Sequence, residues 1–185
     1  MALEVFHVVT GRRMELGQII QMDETFSTGV YQRVMDKKSL TEEILAEPQR
    51  YAGVTLEHHT DVALRELAME EVRREQFPQY PSRLHSLYTS RTLENAKCWF
   101  QWFKDWGRPT LQIVRLRVDG RSFTGNANLC FDGTPDQTLN RSLAERYWRV
   151  GEDPDGERPI WETLVDGRIE VVEILHEESG CSENG

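Results

Sequence analysis

Pro159-Ile160-Trp161-Glu162-Thr163-Leu164-Val165-Asp166-Gly167-Arg168-Ile169 sets one carboxylate, Glu162, inside an otherwise apolar run near the end of the chain. The run predicts a buried strand over 160–165, a turn at Asp166-Gly167, and a closing strand over 169–175. Flanked by Ile160, Trp161, Leu164 and Val165, Glu162 is costly to bury unless a cation or hydrogen-bond donors meet it. Two earlier segments also set a polar side chain among strand-like neighbours: Val5-Phe6-His7-Val8-Val9, and Leu84-His85-Ser86-Leu87-Tyr88-Thr89-Ser90. Histidine early, tyrosine in the middle and glutamate late give three strands, each with one chemical group to offer.

Working outward, strands are predicted over 2–9, 84–89 and 110–118. Asp119-Gly120 turns the last of these into a further strand. A helix is predicted from about 60 to 75, with Leu64, Leu67, Ala68 and Val72 on one face and Glu66, Glu70, Arg73 and Arg74 turned outward. Ser39 or Thr41 starts a shorter helix, Thr92 caps another, and 139–150 suits one more. Residues 23–38 read as a polar loop with a short helix at most. The class is α+β, in one domain over 1–176 with a helical insert at about 39–78, followed by a flexible tail over 177–185.

Composition narrows the function. The chain has 185 residues with a net charge of −9, which argues against general affinity for phosphate backbones. Arg12-Arg13 with Arg33, Lys37 and Lys38 still offer a local basic groove. Cys98, Cys130 and Cys181 lack metal-ligand or redox spacing, and Cys98 reads as a core residue, a pattern that suits a reducing compartment. No leader and no run of membrane-spanning length is visible, so a cytoplasmic protein with no membrane association is expected. His58-His59 lacks companion ligands at metal spacing and reads as surface, so no metal site is expected.

His7, the segment 84–103 and the segment 161–175 together resemble the ADP-ribosyltransferase superfamily, in its branch with a histidine, tyrosine and glutamate signature. Phe6-His7-Val8-Val9-Thr10 looks like that branch's aromatic-His-x-x-Thr strand, and Leu16-Gly17 like the turn that follows it in rifampin-modifying ADP-ribosyltransferases. Leu87-Tyr88-Thr89-Ser90, then Thr92-Leu93-Glu94-Asn95-Ala96, resembles the family's strand-into-helix element. Glu162-Thr163-Leu164-Val165 with Ile169, Val171, Ile174 and Leu175 is similar to the strand of poly-ADP-ribose polymerases that begins with the catalytic glutamate. The opening His-Val-Val-Thr and closing Trp-Glu-x-Leu-Val-x-Gly also resemble a bacterial family of unassigned activity. The likeness covers three islands, about a third of the chain.

The resemblance implies split antiparallel sheets around an NAD cleft, and transfer of ADP-ribose from NAD to a macromolecular acceptor, protein or nucleic acid. Cleaving the nicotinamide–ribose bond develops positive charge on the ribose, which a buried carboxylate stabilises; that role falls to Glu162. Tyr88 would stack on nicotinamide and His7 would donate to a ribose hydroxyl with Thr10 assisting, while Arg12 and Arg13 either neutralise the pyrophosphate or are only solvated. Superfamily habit adds a bacterial or phage-related toxin or effector role, and with it a neutralising protein partner. The chain departs from the pattern in places. Phe123-Thr124-Gly125-Asn126 replaces the acidic motif of the rifampin-modifying enzymes, so antibiotic modification is not implied. Ile160 replaces the second acid of arginine-specific transferases, so arginine is not the implied acceptor.

Each residue also has a plainer reading. His7 and Tyr88, taken singly, are more often core residues than ligands, and Glu162 can face water or pair with Arg168. Trp99, Trp102 and Trp106, at helical spacing, suit a core or a partner-facing stripe. His85 has no assigned role. The alternative function is therefore an inactive NAD- or ADP-ribose-binding or protein-interaction module on the same fold.

Overall fold

The computed structural model describes residues 2–177. It is an α+β fold of two antiparallel sheets and five helices. The first sheet has the order β1-β4-β7-β2, from β1 (Leu3–Val9), β4 (Gln112–Asp119), β7 (Gly167–Glu177) and β2 (Ile19–Met22). The second has the order β3-β6-β5, from β3 (Leu87–Thr89), β6 (Trp161–Val165) and β5 (Ser122–Asn126). The tail expected over 177–185 begins one residue later, because Glu177 closes β7; residues 178–185 lie outside the described residues.

Alternation along β1 decides which side chain meets which layer. Val5 and Val9 enter the core between the sheets, where Leu116, Val118, Ile169 and Val171 meet Val165 and Leu87 of the second sheet. Phe6 and Val8 face the opposite way, onto Ala96 and Phe100 of α4 (Leu93–Asp105). His7 shares the parity of Val5 and Val9 and so points inward. Thr92 caps α4 as expected, accepting from the Asn95 N–H.

The two turn signals do not make hairpins. Asp119-Gly120 carries the chain from β4 in one sheet to β5 in the other, and Asp166-Gly167 carries it back from β6 to β7. The crossings lie back to back. A β-carbon on Gly120 would strike the Asp166 carbonyl, and Gly167, at φ +86°, has no room for one beside the Asp119 carbonyl. Arg121 clamps the corner by donating from its backbone N–H and its guanidinium to Asp166.

The outer face of the second sheet is covered by α3 (His58–Gln76) and α5 (Gln137–Trp148), with the Trp148 indole N–H donating to the Met69 carbonyl at 2.9 Å. Two further helices, α1 (Gly29–Asp36) and α2 (Lys38–Ala46), precede α3; α1 is the short helix allowed for within the polar stretch 23–38. Among the described residues no helix is long and apolar enough to cross a membrane.

Candidate functional site

β3 and β6 pair with Tyr88 opposite Leu164, and β6 and β5 pair with Phe123 opposite Leu164 and Gly125 opposite Glu162. The side-chain period of two puts Tyr88, Leu164, Phe123 and Glu162 on one face of the second sheet, the face covered by α3 and α5. Gly125 lets α5 come close there. A β-carbon at this position would lie 2.8 Å from the Phe123 ring and 3.0 Å from Cζ of Tyr147. Its absence lets the Tyr147 phenol reach over the strand, and Tyr147 O–H donates to Glu162 Oε1 at 2.8 Å.

The cation that Glu162 requires is Arg83. Its Nη1 donates to Glu162 Oε1 at 2.5 Å and to the Tyr147 oxygen at 2.6 Å. On its other edge, Nε and Nη2 donate to the two oxygens of Glu66 at 2.8 and 3.2 Å. The guanidinium carbon lies 5.3 Å from the Tyr88 ring centroid and 4.9 Å from that of Tyr147, so the cation sits among two phenol rings and two carboxylates. Arg65 completes the set, donating twice to Glu66 Oε1. Two carboxylates and two guanidiniums balance, which is what makes this burial tolerable.

Titration behaviour follows the same geometry. Burial alone would lower the Arg83 pKa, but Glu162 and Glu66 outweigh it and the guanidinium stays charged. Burial alone would raise the Glu66 carboxyl, and Arg83 with Arg65 bring it below its ordinary value. Burial lifts both Tyr88 and Tyr147 well above the usual phenol range, with Arg83 opposing. Cys130 lies beside the same carboxylate, its Sγ 3.8 Å from Glu162 Oε1. Burial pushes that thiol up to about 12 against the opposing pull of Arg83, so it stays protonated.

His7 reaches this assembly from the other sheet. β1 bridges to the residue just after β3, Phe6 with Ser90, and beyond it His7 Nδ1 lies 2.8 Å from the Tyr88 carbonyl oxygen. A carbonyl only accepts, so Nδ1 carries the proton and Nε2 is an acceptor while the ring is neutral. Burial, partly offset by the Tyr88 carbonyl, lowers the His7 pKa to about 4. At neutral pH the ring is therefore neutral, with Nε2 able to accept a hydrogen bond and not to donate one.

The structure thus puts Tyr88 and Glu162 on one face and ties His7 to the Tyr88 backbone. Thr10 follows the end of β1 and is half-buried. Arg12 is exposed and lines a surface cavity of about 330 Å³ with Arg13, Met14, Glu15 and Gln18. A second cavity of about 350 Å³ lies between the α5–β6 loop and Trp161. Neither is lined by His7, Tyr88 or Glu162.

Several sequence readings change. Glu66, Glu70 and Arg73 are buried, not turned outward. Glu66 meets Arg83 and Arg65, while Glu70 meets Arg73 and Ser82. Glu162 pairs with Arg83 and Tyr147, not Arg168, which instead approaches Glu170. Leu84, His85 and Ser86 belong to a turn, not to β3. Cys98 is exposed on α4, not in the core. His58 and His59 are exposed in the first turn of α3, as read from the sequence, and Trp106 is 63 % exposed at the end of α4. Arg83 and Glu66 were missed as site residues. The available signal was the need of Glu162 for a cation, answered by an arginine just after Pro81.

Residues 5–177 match the family model described as "Protein of unknown function (DUF2441)", and the chain belongs to that family. No curated protein matches the chain.

Proposed function

We propose that the chain is an NAD-dependent ADP-ribosyltransferase on a split-sheet ADP-ribosyltransferase-like fold, with its NAD site on the Tyr88–Glu162 face of the second sheet and His7 meeting the edge of that sheet at β3. The observation that carries this reading is that His7, Tyr88 and Glu162, far apart in sequence, lie on neighbouring strands. His7 touches the Tyr88 carbonyl, and Tyr88 and Glu162 share one sheet face. In this reading Glu162 faces the ribose as positive charge develops there, with Tyr147 and Arg83 fixing its orientation beforehand. Tyr88 supplies the surface on which nicotinamide stacks, and His7 accepts from a ribose hydroxyl. Arg12, exposed after β1, meets the pyrophosphate, and Thr10 lies between them in sequence. Departure of nicotinamide leaves ADP-ribose for an acceptor nucleophile, on a protein or a nucleic acid. A cytoplasmic toxin or effector with a neutralising partner is the setting this activity suits.

The test is nicotinamide release from NAD, followed by chromatography. Wild type should release it, and Glu162→Gln, which keeps acceptors for Arg83 and Tyr147, should be slower by about 100-fold or more. Equal rates in a folded Glu162→Gln protein would remove Glu162 from the chemistry.

One observation favours a second reading. Glu162 is 7 % exposed and already satisfied by Arg83 and Tyr147, as a purely structural ion pair would be. A module that binds NAD or ADP-ribose without turnover would keep that pair intact. It would show an NAD-dependent rise in thermal midpoint with no nicotinamide released.

A further inference from the structure

We propose that Arg83 is a movable stopper in the Tyr88–Glu162 site, holding the place of a planar cationic ring and swinging off Glu162 when such a ring arrives. The inference rests on the NAD reading above and adds how its site opens. A guanidinium and the pyridinium of NAD are both flat, delocalised monocations that stack on phenol rings and pair with a carboxylate. Arg83 already does both, lying over Tyr88 and donating to Glu162.

Its bonding is lopsided in a way that permits the movement. Nε and Nη2 both hold Glu66, whereas Nη1 holds Glu162 and the Tyr147 oxygen, so a pivot of the guanidinium about Glu66 gives up the Nη1 contacts and still leaves the cation beside a carboxylate. Arg83 also sits in a turn, outside any helix or strand. That turn is tethered by side chains. Thr28 Oγ1 donates to the Leu84 carbonyl at 2.5 Å, His85 Nδ1 lies 2.8 Å from the Phe26 carbonyl, and Tyr88 O–H donates to the Arg83 carbonyl at 3.1 Å.

A separate observation marks this turn as not fully satisfied in the closed form. Ser86 is 2 % exposed and its hydroxyl has no hydrogen-bond partner among the described residues. A buried hydroxyl left unpaired raises the free energy of the closed arrangement and so favours one in which the turn shifts.

The experiment titrates the full chain with NAD and with 1-methylnicotinamide, a free pyridinium, by isothermal calorimetry. Wild type, Arg83→Met and Ser86→Ala are compared, each checked for folding by near-ultraviolet circular dichroism. Emptying the place should tighten binding of both probes in Arg83→Met by about 10-fold or more, because the competent form no longer competes with the stopper. Ser86→Ala relieves the closed form and should weaken binding about 5-fold. Unchanged or weaker binding by folded Arg83→Met overturns the stopper. If Arg83→Met does not fold, Ser86→Ala decides, and unchanged affinity there overturns it. Wild-type binding of NAD without tighter binding by Arg83→Met removes the stopper and leaves the NAD reading in place. Absence of NAD binding by all three proteins removes both.

Discussion

Replacing Arg83 by Met deletes the guanidinium while leaving an apolar side chain along the same path, so the loss is electrostatic more than steric. Two buried carboxylates, Glu66 at 1 % and Glu162 at 7 % exposure, lose their shared cation. Removing one partner of a buried pair costs about 3–5 kcal/mol. Two contacts survive and favour the low end of that range: Arg65 still donates twice to Glu66, and Tyr147 still donates to Glu162. The expectation is a loss of about 3 kcal/mol at pH 7, or a fall in thermal midpoint of about 6–12 °C for a chain of this size. The dependence on pH fixes the cause. In wild type Glu66 is held below its ordinary value of 4.5, so it contributes stability above that value, which is lost as pH falls through the depressed pKa. Without Arg83 the burial of Glu66 is less opposed and its pKa rises, so the variant is relieved by protonation. Urea unfolding at pH 7 and about pH 3.5 should therefore show the gap between the two proteins closing on acidification. A loss under about 1 kcal/mol at pH 7, or a gap that widens in acid, would refute the assignment of Arg83 as the cation both carboxylates depend on.

His7, lowered from 6.5 to about 4, binds its proton more weakly folded than unfolded. Stability should fall as pH drops from 6.5 toward 4, by on the order of 2 kcal/mol more than in His7→Gln, as read by urea midpoints; parallel profiles would contradict the buried neutral ring. Gly125→Ala places a methyl 2.8 Å from Phe123 and 3.0 Å from Tyr147. The overpacking should cost about 1–3 kcal/mol in chemical denaturation and free Tyr147 from Glu162. An unchanged midpoint would show that α5 has slack there. Iodoacetamide at about pH 8 should modify exposed Cys98 and leave Cys130 intact by mass spectrometry, since the Cys130 thiol is pushed up to about 12. Rapid modification of Cys130 in the folded protein would contradict its place beside Glu162.

The strands carrying His7, Tyr88 and Glu162 were legible because alternation and turn residues are local signals. β1, β6 and β7 form within two residues of their predicted ends. The start of β3 was not, since nothing within Leu84-His85-Ser86 marks a break before Leu87, yet the segment is pulled into a turn by Thr28 and by the Phe26 carbonyl. Nor was the pairing of Asp119-Gly120 with Asp166-Gly167, because a glycine turn looks the same whether it closes a hairpin or crosses between sheets. On α3 the amphipathic reading found the face carrying Leu64, Ala68 and Val72 but turned Glu66 to solvent. That carboxylate is met by Arg83 from 17 residues away as well as by Arg65, and no helical periodicity encodes a partner beyond the helix.

A crystal structure of the full chain with a non-hydrolysable NAD analogue tests the central claim most directly. The account predicts the nicotinamide ring stacked on Tyr88, the adjoining ribose against Glu162, and Arg83 bonded to Glu66 alone. An analogue bound elsewhere, with Arg83 still joined to Glu162, would contradict it.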